Sequence, residues 1–196
     1  MPESPRRQEI VLASSSPYRA QLLARLGLAF ETFSPDIDET PLDGESGAAL
    51  ARRLASTKAA AVAARHPGAI VIGSDQVAEC RERLLGKPGE REAAIEQLLY
   101  CSGAEIVFHT AIAMRRDEDE HSDLVATSVL MRKLERAQIE RYVDIDRPLD
   151  CAGAMKSEAL GICLTEHIRS DDPTALVGLP LIAVVRLLTR FGLELP

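Results

Sequence analysis

The sequence is poor in cysteine and in aromatic side chains, and it has no long apolar segment. Its 196 residues include four cysteines and no tryptophan, and 4% of its residues are aromatic. The cysteines, at positions 80, 101, 151 and 163, form no CxxC pair, which argues against a zinc site and a dense disulfide framework. We therefore predict reduced thiols in a cytoplasmic protein. No apolar run could span a bilayer and the charged residues 1–9 contain no signal region, so no membrane association is expected.

Positive charge is also scarce. The chain has 23 lysines and arginines against 30 aspartates and glutamates, which gives a net charge of -7. Binding to a nucleic acid backbone requires a basic face, so no nucleic acid partner is expected. A phosphate site in this chain must therefore be a local cluster of arginine, lysine and backbone N–H groups. The hydrophobic fraction of 46% is typical of a globular protein with a real core.

Helical and strand patterns are intermixed along the chain. Helices are predicted from Pro17 and at 46–65, 90–100, 135–144 and 181–191. Strands are predicted at 10–13, 29–33, 69–73, 104–114, 123–131 and 162–168, and a strand or a hairpin at 76–85. This mixture indicates an α/β fold. No repeat and no long linker is visible, so we expect a single domain over residues 1–196. Its middle hairpins could form a second lobe, with a cleft between the two lobes.

The start of the chain combines a strand, a hydroxyl-rich loop and a helix N-terminus. The apolar segment 10–13 is followed by Ser14, Ser15 and Ser16, and Pro17 suits the first turn of a helix. Free backbone N–H groups at a helix N-terminus bind anions, and Arg19 adds a guanidinium one turn later. The alternative is an ordinary serine N-cap beside a surface arginine.

Asp75 is the sharpest single candidate for chemistry. It follows the apolar run 69–73, which is typical of a strand buried on both faces. In α/β sheets the carboxyl end of a strand is where reacting groups lie, so we place Asp75 at such an end. Its carboxylate could hold Mg²⁺ or accept a proton from water. The alternative is an Asx turn that closes the strand.

A second set of acids lies in the loop 34–41, where Asp36, Asp38 and Glu39 are clustered. Clustered carboxylates can bind a hard cation such as Mg²⁺, although most acidic loops are simply solvated. Their spacing does not match a calcium-binding loop.

Several isolated charges could contact a phosphorylated ligand. Lys58 lies on an alanine-rich helix, and Lys87 lies in a Gly-Lys-Pro turn that lacks the rest of a Walker A motif. Lys156 and Glu158 follow the flexible segment 151–153, and a glutamate there could accept hydrogen bonds from a nucleobase edge. Each residue by itself is more often a surface charge. Together with the anion-binding turn and Asp75, they suit the hydrolysis of a metal-bound polyphosphate by water.

These residues resemble the motifs of the Maf proteins, which are nucleoside triphosphate pyrophosphatases. The matching segments run in the family's order over nearly the whole chain: Leu12-Ala-Ser-Ser-Ser-Pro-Tyr-Arg19, Asp38-Glu-Thr40, Leu54-Ala…Lys58-Ala, Gly73-Ser-Asp-Gln76, Gly86-Lys-Pro88, Cys151-Ala-Gly…Lys156-Ser-Glu158 and Val177-Gly-Leu-Pro180. Gly-Ser-Asp-Gln and Lys-Ser-Glu are similar to the subgroup that acts on 7-methylguanosine triphosphate. The sister subgroup, which acts on dTTP and UTP, has Ala-Asp-Thr in place of the first motif.

The resemblance implies a mixed α/β fold of the Maf/ITPase type with a deep cleft between two lobes, often in a homodimer. It implies a divalent cation, Mg²⁺ or Mn²⁺, and cleavage of a nucleoside triphosphate between its α- and β-phosphates. The catalytic positions would be Asp75, Lys58, Lys87 and Arg19; the substrate-binding positions Ser14, Ser16, Tyr18, Gln76, Lys156 and Glu158; and the metal-binding positions Glu39 and Asp75. Among these, Tyr18, Gln76 and Glu158 match the positions that set base preference.

One departure from the family pattern concerns Ala20. Family members often carry a second arginine at this position, so the affinity for a triphosphate could be lower here. Two alternatives to the main hypothesis stay open at this point. The same fold could act on dTTP, UTP or CTP, or the protein could be a nucleotide-binding regulator of cell division without catalysis.

Overall fold

A computed structural model describes residues 8–196, so the first seven of the charged N-terminal residues lie outside the described part. The strands are β1 (Ile10–Ala13), β2 (Glu31–Thr32), β3 (Ile70–Cys80), β4 (Arg83–Leu85), β5 (Glu105–Arg116), β6 (Asp119–Met131) and β7 (Thr165–Ser170). The helices are α1 (Pro17–Ala24), α2 (Gly47–Ala63), α3 (Arg91–Cys101), α4 (Arg136–Asp146) and α5 (Leu181–Arg190). None of the described helices has the length and apolar character needed to cross a membrane.

The strands form one mixed sheet in the order β2-β1-β3-β5-β6-β7, and β4 pairs with β3. β1 runs parallel to β2 and β3, whereas the other pairs are antiparallel. This arrangement confirms the predicted mixed α/β class. The extent of the domain and its division into two lobes stay predictions.

β3 is the strand on which the sequence-based expectation was wrong. A strand end was predicted after residue 73, with Asp75 at that end, but β3 runs without a break from Ile70 to Cys80. Ser74, Asp75 and Gln76 continue the strand because each polar side chain finds a partner elsewhere in the fold. Asp75 therefore lies in the middle of a strand.

Strand alternation separates the side chains of β3 between the two faces of the sheet. Val71 and Val77 face the apolar cluster beneath α2, as Asp75 does. Ile70 and Ile72 face the opposite cluster, which is covered by α1 and α5. The even-numbered residues further along β3 contact a third cluster, which includes side chains of α3 and α4.

Gly73 allows α2 to lie unusually close to β3. A Cβ at this position would be 2.3 Å from the backbone oxygen of Ala55 and 2.7 Å from the backbone nitrogen of Ala59. The absence of a side chain therefore brings the helix that carries Lys58 directly over the strand that carries Asp75.

On one side, the middle of β3 has no strand partner in the described part of the chain, because it lies between the end of β1 and the start of the β4 pairing. β1 pairs with β3 only as far as Gly73, and on the same edge β4 pairs with it from Ala78 onward. Residues 74–77 have no strand partner on this side among the described residues, since β5 occupies the other edge. The resulting notch exposes the middle of β3 to a cavity.

Other boundaries differ in detail from the sequence pattern. The predicted strand 29–33 is reduced to the two residues of β2. The predicted strand 162–168 begins later, because a 3₁₀ turn occupies Leu160–Leu164 and β7 follows it.

Candidate active site

A cavity of about 630 Å³ occupies the notch in the sheet. Its walls come from the β1–α1 turn, the acidic loop, α2, the middle of β3, residues 84–87, and two later segments at 150–158 and 176–178. Most of the predicted site residues line it. A second cavity, of about 660 Å³, lies near His109 and Glu79 and contains none of them. All of the catalytic, substrate-binding and metal-binding residues predicted from the sequence, except Lys156, therefore lie at the cavity in the notch.

Lys58 joins two carboxylates at the floor of this cavity. Its Nζ lies 2.6 Å from Asp75 Oδ1 and 2.6 Å from Glu39 Oε1. The side chains of Lys58 and Asp75 are 8% and 10% exposed, whereas that of Glu39 is 55% exposed. A buried carboxylate, a buried ammonium and a carboxylate at the cavity mouth are thus arranged around one nitrogen atom.

The charge around Glu39 keeps that carboxylate ionised. Partial burial acts to raise the pKa of Glu39, but the hydrogen bond and charge of Lys58, with the charges of Lys87 and Arg19, lower it below its ordinary value. Lys87 is itself exposed and lines the cavity. The three predicted cations therefore act on the same region, although they come from distant parts of the chain.

The β1–α1 turn is built as the sequence predicted. Ser16 is the N-cap of α1, and its Oγ accepts a hydrogen bond from the backbone N–H of Arg19 at 3.4 Å. Ser14 Oγ accepts from the Ser16 backbone N–H at 3.1 Å and from Arg19 Nη1 at 3.3 Å. Both lone pairs of the Ser14 oxygen are thus engaged, which leaves its hydroxyl proton for an anionic acceptor.

Arg19 is held from two sides. Its Nε donates to the backbone carbonyl of Gly178 at 2.9 Å, while Nη1 reaches Ser14. Burial lowers the pKa of Arg19, and the negative charges of Asp75 and Glu39 oppose that shift. Arginine remains a cation even with such a shift. Its remaining N–H groups are available to the cavity that Arg19 lines.

The side-chain amide nitrogen of Gln76, a residue predicted to contact the base, already has three partners within the protein. Its Nε2 lies 2.9 Å from Thr110 Oγ1, 2.9 Å from the carbonyl of Ala175 and 3.1 Å from the carbonyl of Leu176. The amide nitrogen therefore donates its hydrogen bonds within the protein and not to a ligand. A contact between Gln76 and a base stays a prediction, now restricted to its amide oxygen.

The remaining predicted residues come from α1 and from the segment 150–158. Tyr18 and Glu158 line the cavity. Lys156 lies behind the lining: its Nζ donates to the carbonyls of Asp146 and Arg147 at the end of α4, at 3.1 and 3.4 Å. Burial raises the pKa of Tyr18, and a hydrogen bond to Lys156 opposes that rise. Lys156 thus supports Tyr18 from behind, and its direct contact with a substrate stays a prediction.

Two residues of the candidate site were missed in the sequence. Asp150, like Glu158, adds a carboxylate to the cavity lining. Gly178 supplies the carbonyl that holds Arg19. The segment Val177-Gly-Leu-Pro180 was a visible signal, but nothing local indicated that its partner lies 159 residues earlier.

The residues at the cavity floor fit a divalent cation. Oxygens of Glu39 and Asp75 converge on one point, now occupied by the ammonium of Lys58. Mg²⁺ is commonly held by one or two carboxylates together with phosphate oxygens and water. Among residues 8–196 no group of three or more histidine, cysteine, aspartate or glutamate residues is placed to hold a metal by itself. A metal at this point would therefore take the place of the Lys58 ammonium and would need further oxygens from a ligand.

The fold and the site define an α/β protein that can hold a phosphorylated ligand beside a buried carboxylate. The chain belongs to the Maf family, since the family of Maf-like proteins matches residues 9–191. A curated 7-methyl-GTP pyrophosphatase of Xanthomonas oryzae pv. oryzae is 56% identical over 187 residues, which cover 95% of this chain and 98% of that protein. Another from Aromatoleum aromaticum is 54% identical over 193 residues, with 97% and 100% coverage.

A solved structure from Vibrio cholerae is a more distant match. It covers 95% of this chain and 98% of its own, with 13% identity and a TM-score of 0.47. The family assignment does not rest on it.

Proposed function

We propose that this protein is a pyrophosphatase that hydrolyses 7-methyl-GTP to the nucleoside monophosphate and pyrophosphate. The observation that carries the proposal is the Glu39–Lys58–Asp75 cluster, placed in one cavity with Arg19 and Ser14. The curated relatives at 56% and 54% identity support the choice of substrate.

In the proposed reaction, Asp75 acts on the attacking water. The water oxygen forms a bond to the α-phosphorus, and its proton passes to the Asp75 carboxylate. The bond from the α-phosphorus to the bridging oxygen breaks, and that oxygen leaves with its electron pair as part of pyrophosphate. The Lys58 ammonium, with Nζ 2.6 Å from Asp75 Oδ1, orients this carboxylate for its role as the base.

The cations of the site stabilise the charge that moves onto the leaving pyrophosphate. Arg19 is oriented by its bonds to Gly178 and Ser14, so its free N–H groups need no reorganisation when the charge develops. Lys87, an exposed residue of the cavity lining, adds a further positive charge. A divalent cation bound by Glu39 and Asp75 would neutralise phosphate charge as a Lewis acid.

The part of the lining that contains Tyr18 suits a cationic base. Glu158 and Asp150 add two carboxylates to the cavity that Tyr18 lines, and the charge of Asp150 acts on Tyr18. A 7-methylated guanine carries a positive charge, so stacking on Tyr18 would gain about 0.5–2 kcal/mol of cation–π energy. Glu158 could accept hydrogen bonds from the N1–H and amino groups of the base, and the charge on the base would strengthen them.

The cellular setting is part of the same proposal. We place the protein in the cytoplasm, as a homodimer, with the nucleotide as its ligand and without nucleic acid or membrane partners. The net charge of -7 supports the exclusion of nucleic acid. Subcellular fractionation and sedimentation velocity test the location and the dimer.

The substrate is tested by measuring pyrophosphate release with Mg²⁺ or Mn²⁺ from 7-methyl-GTP, GTP, dTTP, UTP and CTP. We expect the highest kcat/KM for 7-methyl-GTP, and we expect Glu158→Gln to reduce its advantage over GTP about tenfold. Glu166→Gln, an exposed glutamate on β7, is the control. A preference for a pyrimidine nucleotide would favour the alternative substrate range. No release from any nucleotide would favour a binding protein.

A further inference from the structure

We propose that Asp172 is a positioning residue for Arg19, acting through the segment between β7 and α5. This inference rests on the proposed function, in which Arg19 binds the phosphates. The segment, residues 172–182, is defined here as the Arg19 support loop. None of its side chains was assigned a role in the sequence.

The contact between the Arg19 support loop and Arg19 is made by the backbone of Gly178. The Gly178 carbonyl accepts from Arg19 Nε at 2.9 Å and from Ser74 Oγ at 3.2 Å. Gly178 has a φ of +119°, a conformation that other residues rarely adopt. The direction of this carbonyl, and with it the direction of the guanidinium, therefore depends on the conformation of the loop.

A second contact fixes the loop against the sheet. The carbonyl of Ala175 accepts from Thr110 Oγ1 and from Gln76 Nε2, both at 2.9 Å. Thr110 is fully buried, and Gln76 follows the predicted base Asp75 in β3. The loop is thus tied to the same strand that carries the reacting carboxylate.

The internal order of the loop depends on Asp172, which is 1% exposed. Its Oδ1 accepts from the backbone N–H of Thr174 at 2.9 Å and from Thr174 Oγ1 at 2.6 Å. Its Oδ2 accepts from the backbone N–H of Ile182, in the first turn of α5, at 2.7 Å. One buried carboxylate therefore joins the two ends of the support loop.

Thr174 extends this network toward Gly178. Its hydroxyl donates its one proton to Asp172 Oδ1, and its oxygen accepts from the backbone N–H of Leu181 at 2.8 Å. Leu181 follows Gly178 by three residues, so the chain from Asp172 to the Arg19 guanidinium is continuous through hydrogen bonds and backbone.

A buried carboxylate is costly unless it is fully hydrogen bonded. Asp172 has no lysine or arginine partner in the described part of the chain; N–H and hydroxyl donors and the positive end of α5 stabilise its charge instead. Shifts of about 1 Å in a phosphate-binding group can reduce activity about 100-fold. A rigid loop behind Arg19 would prevent such a shift.

The experiment is a double-mutant cycle between the loop and Arg19. We expect Asp172→Asn to lower kcat/KM for 7-methyl-GTP and the affinity for inorganic pyrophosphate, each about 10-fold or more. In the Arg19→Ala background the same change should have no further effect on either quantity. Asp171→Asn, at the exposed neighbouring aspartate, is the control and should leave both quantities unchanged.

A second pair of variants guards against a folding defect in Asp172→Asn. Thr174→Val removes the hydroxyl and should reproduce the loss, whereas Thr174→Ser retains the hydroxyl and should restore both quantities. Thermal unfolding of every variant measures the structural effect separately. A purely structural role would lower the unfolding midpoint without the dependence on Arg19.

An equal loss in the unmodified and the Arg19→Ala backgrounds would overturn the proposal, as would full activity of both Asp172→Asn and Thr174→Val. If the unmodified protein hydrolyses no triphosphate, the proposed function fails, but the cycle in pyrophosphate affinity, measured by calorimetry, still decides the role of Asp172. Absence of pyrophosphate binding by the unmodified protein would contradict the anion site itself.

Discussion

At the scale of single residues, the site depends on the sharing of one ammonium group between two carboxylates. Lys58 is almost fully buried, and burial of an unpaired ammonium would be strongly unfavourable. Asp75 and Glu39, each 2.6 Å away, offset that cost. In the free protein, the two carboxylates offset the positive charges of Lys58 and Arg19. A phosphate ligand would add negative charge, which the positive charges of Arg19 and Lys87 would stabilise.

The lowered pKa of Glu39 gives a pH-dependent stability. A carboxylate whose pKa is lower in the folded state stabilises the fold above its ordinary pKa, and the contribution is lost as the pH falls through the folded value. We expect the free energy of unfolding of Glu39→Gln to lie below that of the unmodified protein at pH 7, by less than about 1 kcal/mol because Glu39 is half-exposed. The difference should shrink as the pH falls below the ordinary glutamate pKa and through the lower folded value.

Urea unfolding between pH 3 and pH 7 measures this difference. Asp43→Asn, at an exposed acid four residues after Glu39, is the matched control. A difference that grows as the pH falls would contradict the assignment of the Glu39–Lys58 pair.

Many residues of the candidate site could be predicted from the sequence, because charged and hydroxyl side chains in these motifs indicate their chemistry by residue type. Asp75, Lys58, Arg19 and Ser14 were predicted, and they lie together in the cavity. The role of Gly178 was not readable, since a backbone carbonyl has no signature in the sequence.

At the scale of elements, α2 and β3 bring Lys58 and Asp75 into contact. Gly73 removes the side chain that would otherwise separate them. Ser46 begins α2 as its N-cap, as the sequence pattern indicated. The continuity of β3 was not predictable, because Ser74, Asp75 and Gln76 form a polar run whose partners lie 17 to 104 residues away.

Gly73→Ala tests the close approach of this helix and strand. The added Cβ would meet backbone atoms of Ala55 and Ala59, so α2 has to move away from β3. We expect a loss of about 1–3 kcal/mol in the free energy of unfolding. We also expect a loss of pyrophosphatase activity of at least about tenfold, because Lys58 moves with the helix. Chemical denaturation and initial rates measure the two effects.

Gly86→Ala is the control for stability, since a Cβ there meets no atom within 4 Å. An unchanged stability and an unchanged rate in Gly73→Ala would show that the helix tolerates the side chain, which would contradict the packing described here.

At the scale of the whole molecule, three positively charged side chains of an acidic protein lie in one notch of its sheet. The net charge of -7 did not exclude a phosphate site, because Arg19, Lys58 and Lys87 come together from three parts of the chain. The α/β class followed from the alternation of patterns along the chain. The notch could not be predicted from these patterns, because it depends on where the pairing of β1 with β3 ends and where the pairing of β4 with β3 begins.

The central claim, that water activated by Asp75 attacks the α-phosphate of 7-methyl-GTP, is tested most directly by hydrolysis in ¹⁸O-labelled water. Mass spectrometry of the products identifies the phosphorus atom that water attacks. We predict that ¹⁸O enters 7-methyl-GMP and not pyrophosphate, and that Asp75→Asn, while it still binds the nucleotide, forms neither product at a measurable rate. Label in pyrophosphate, release of orthophosphate from the γ-position, or normal turnover by Asp75→Asn would contradict it.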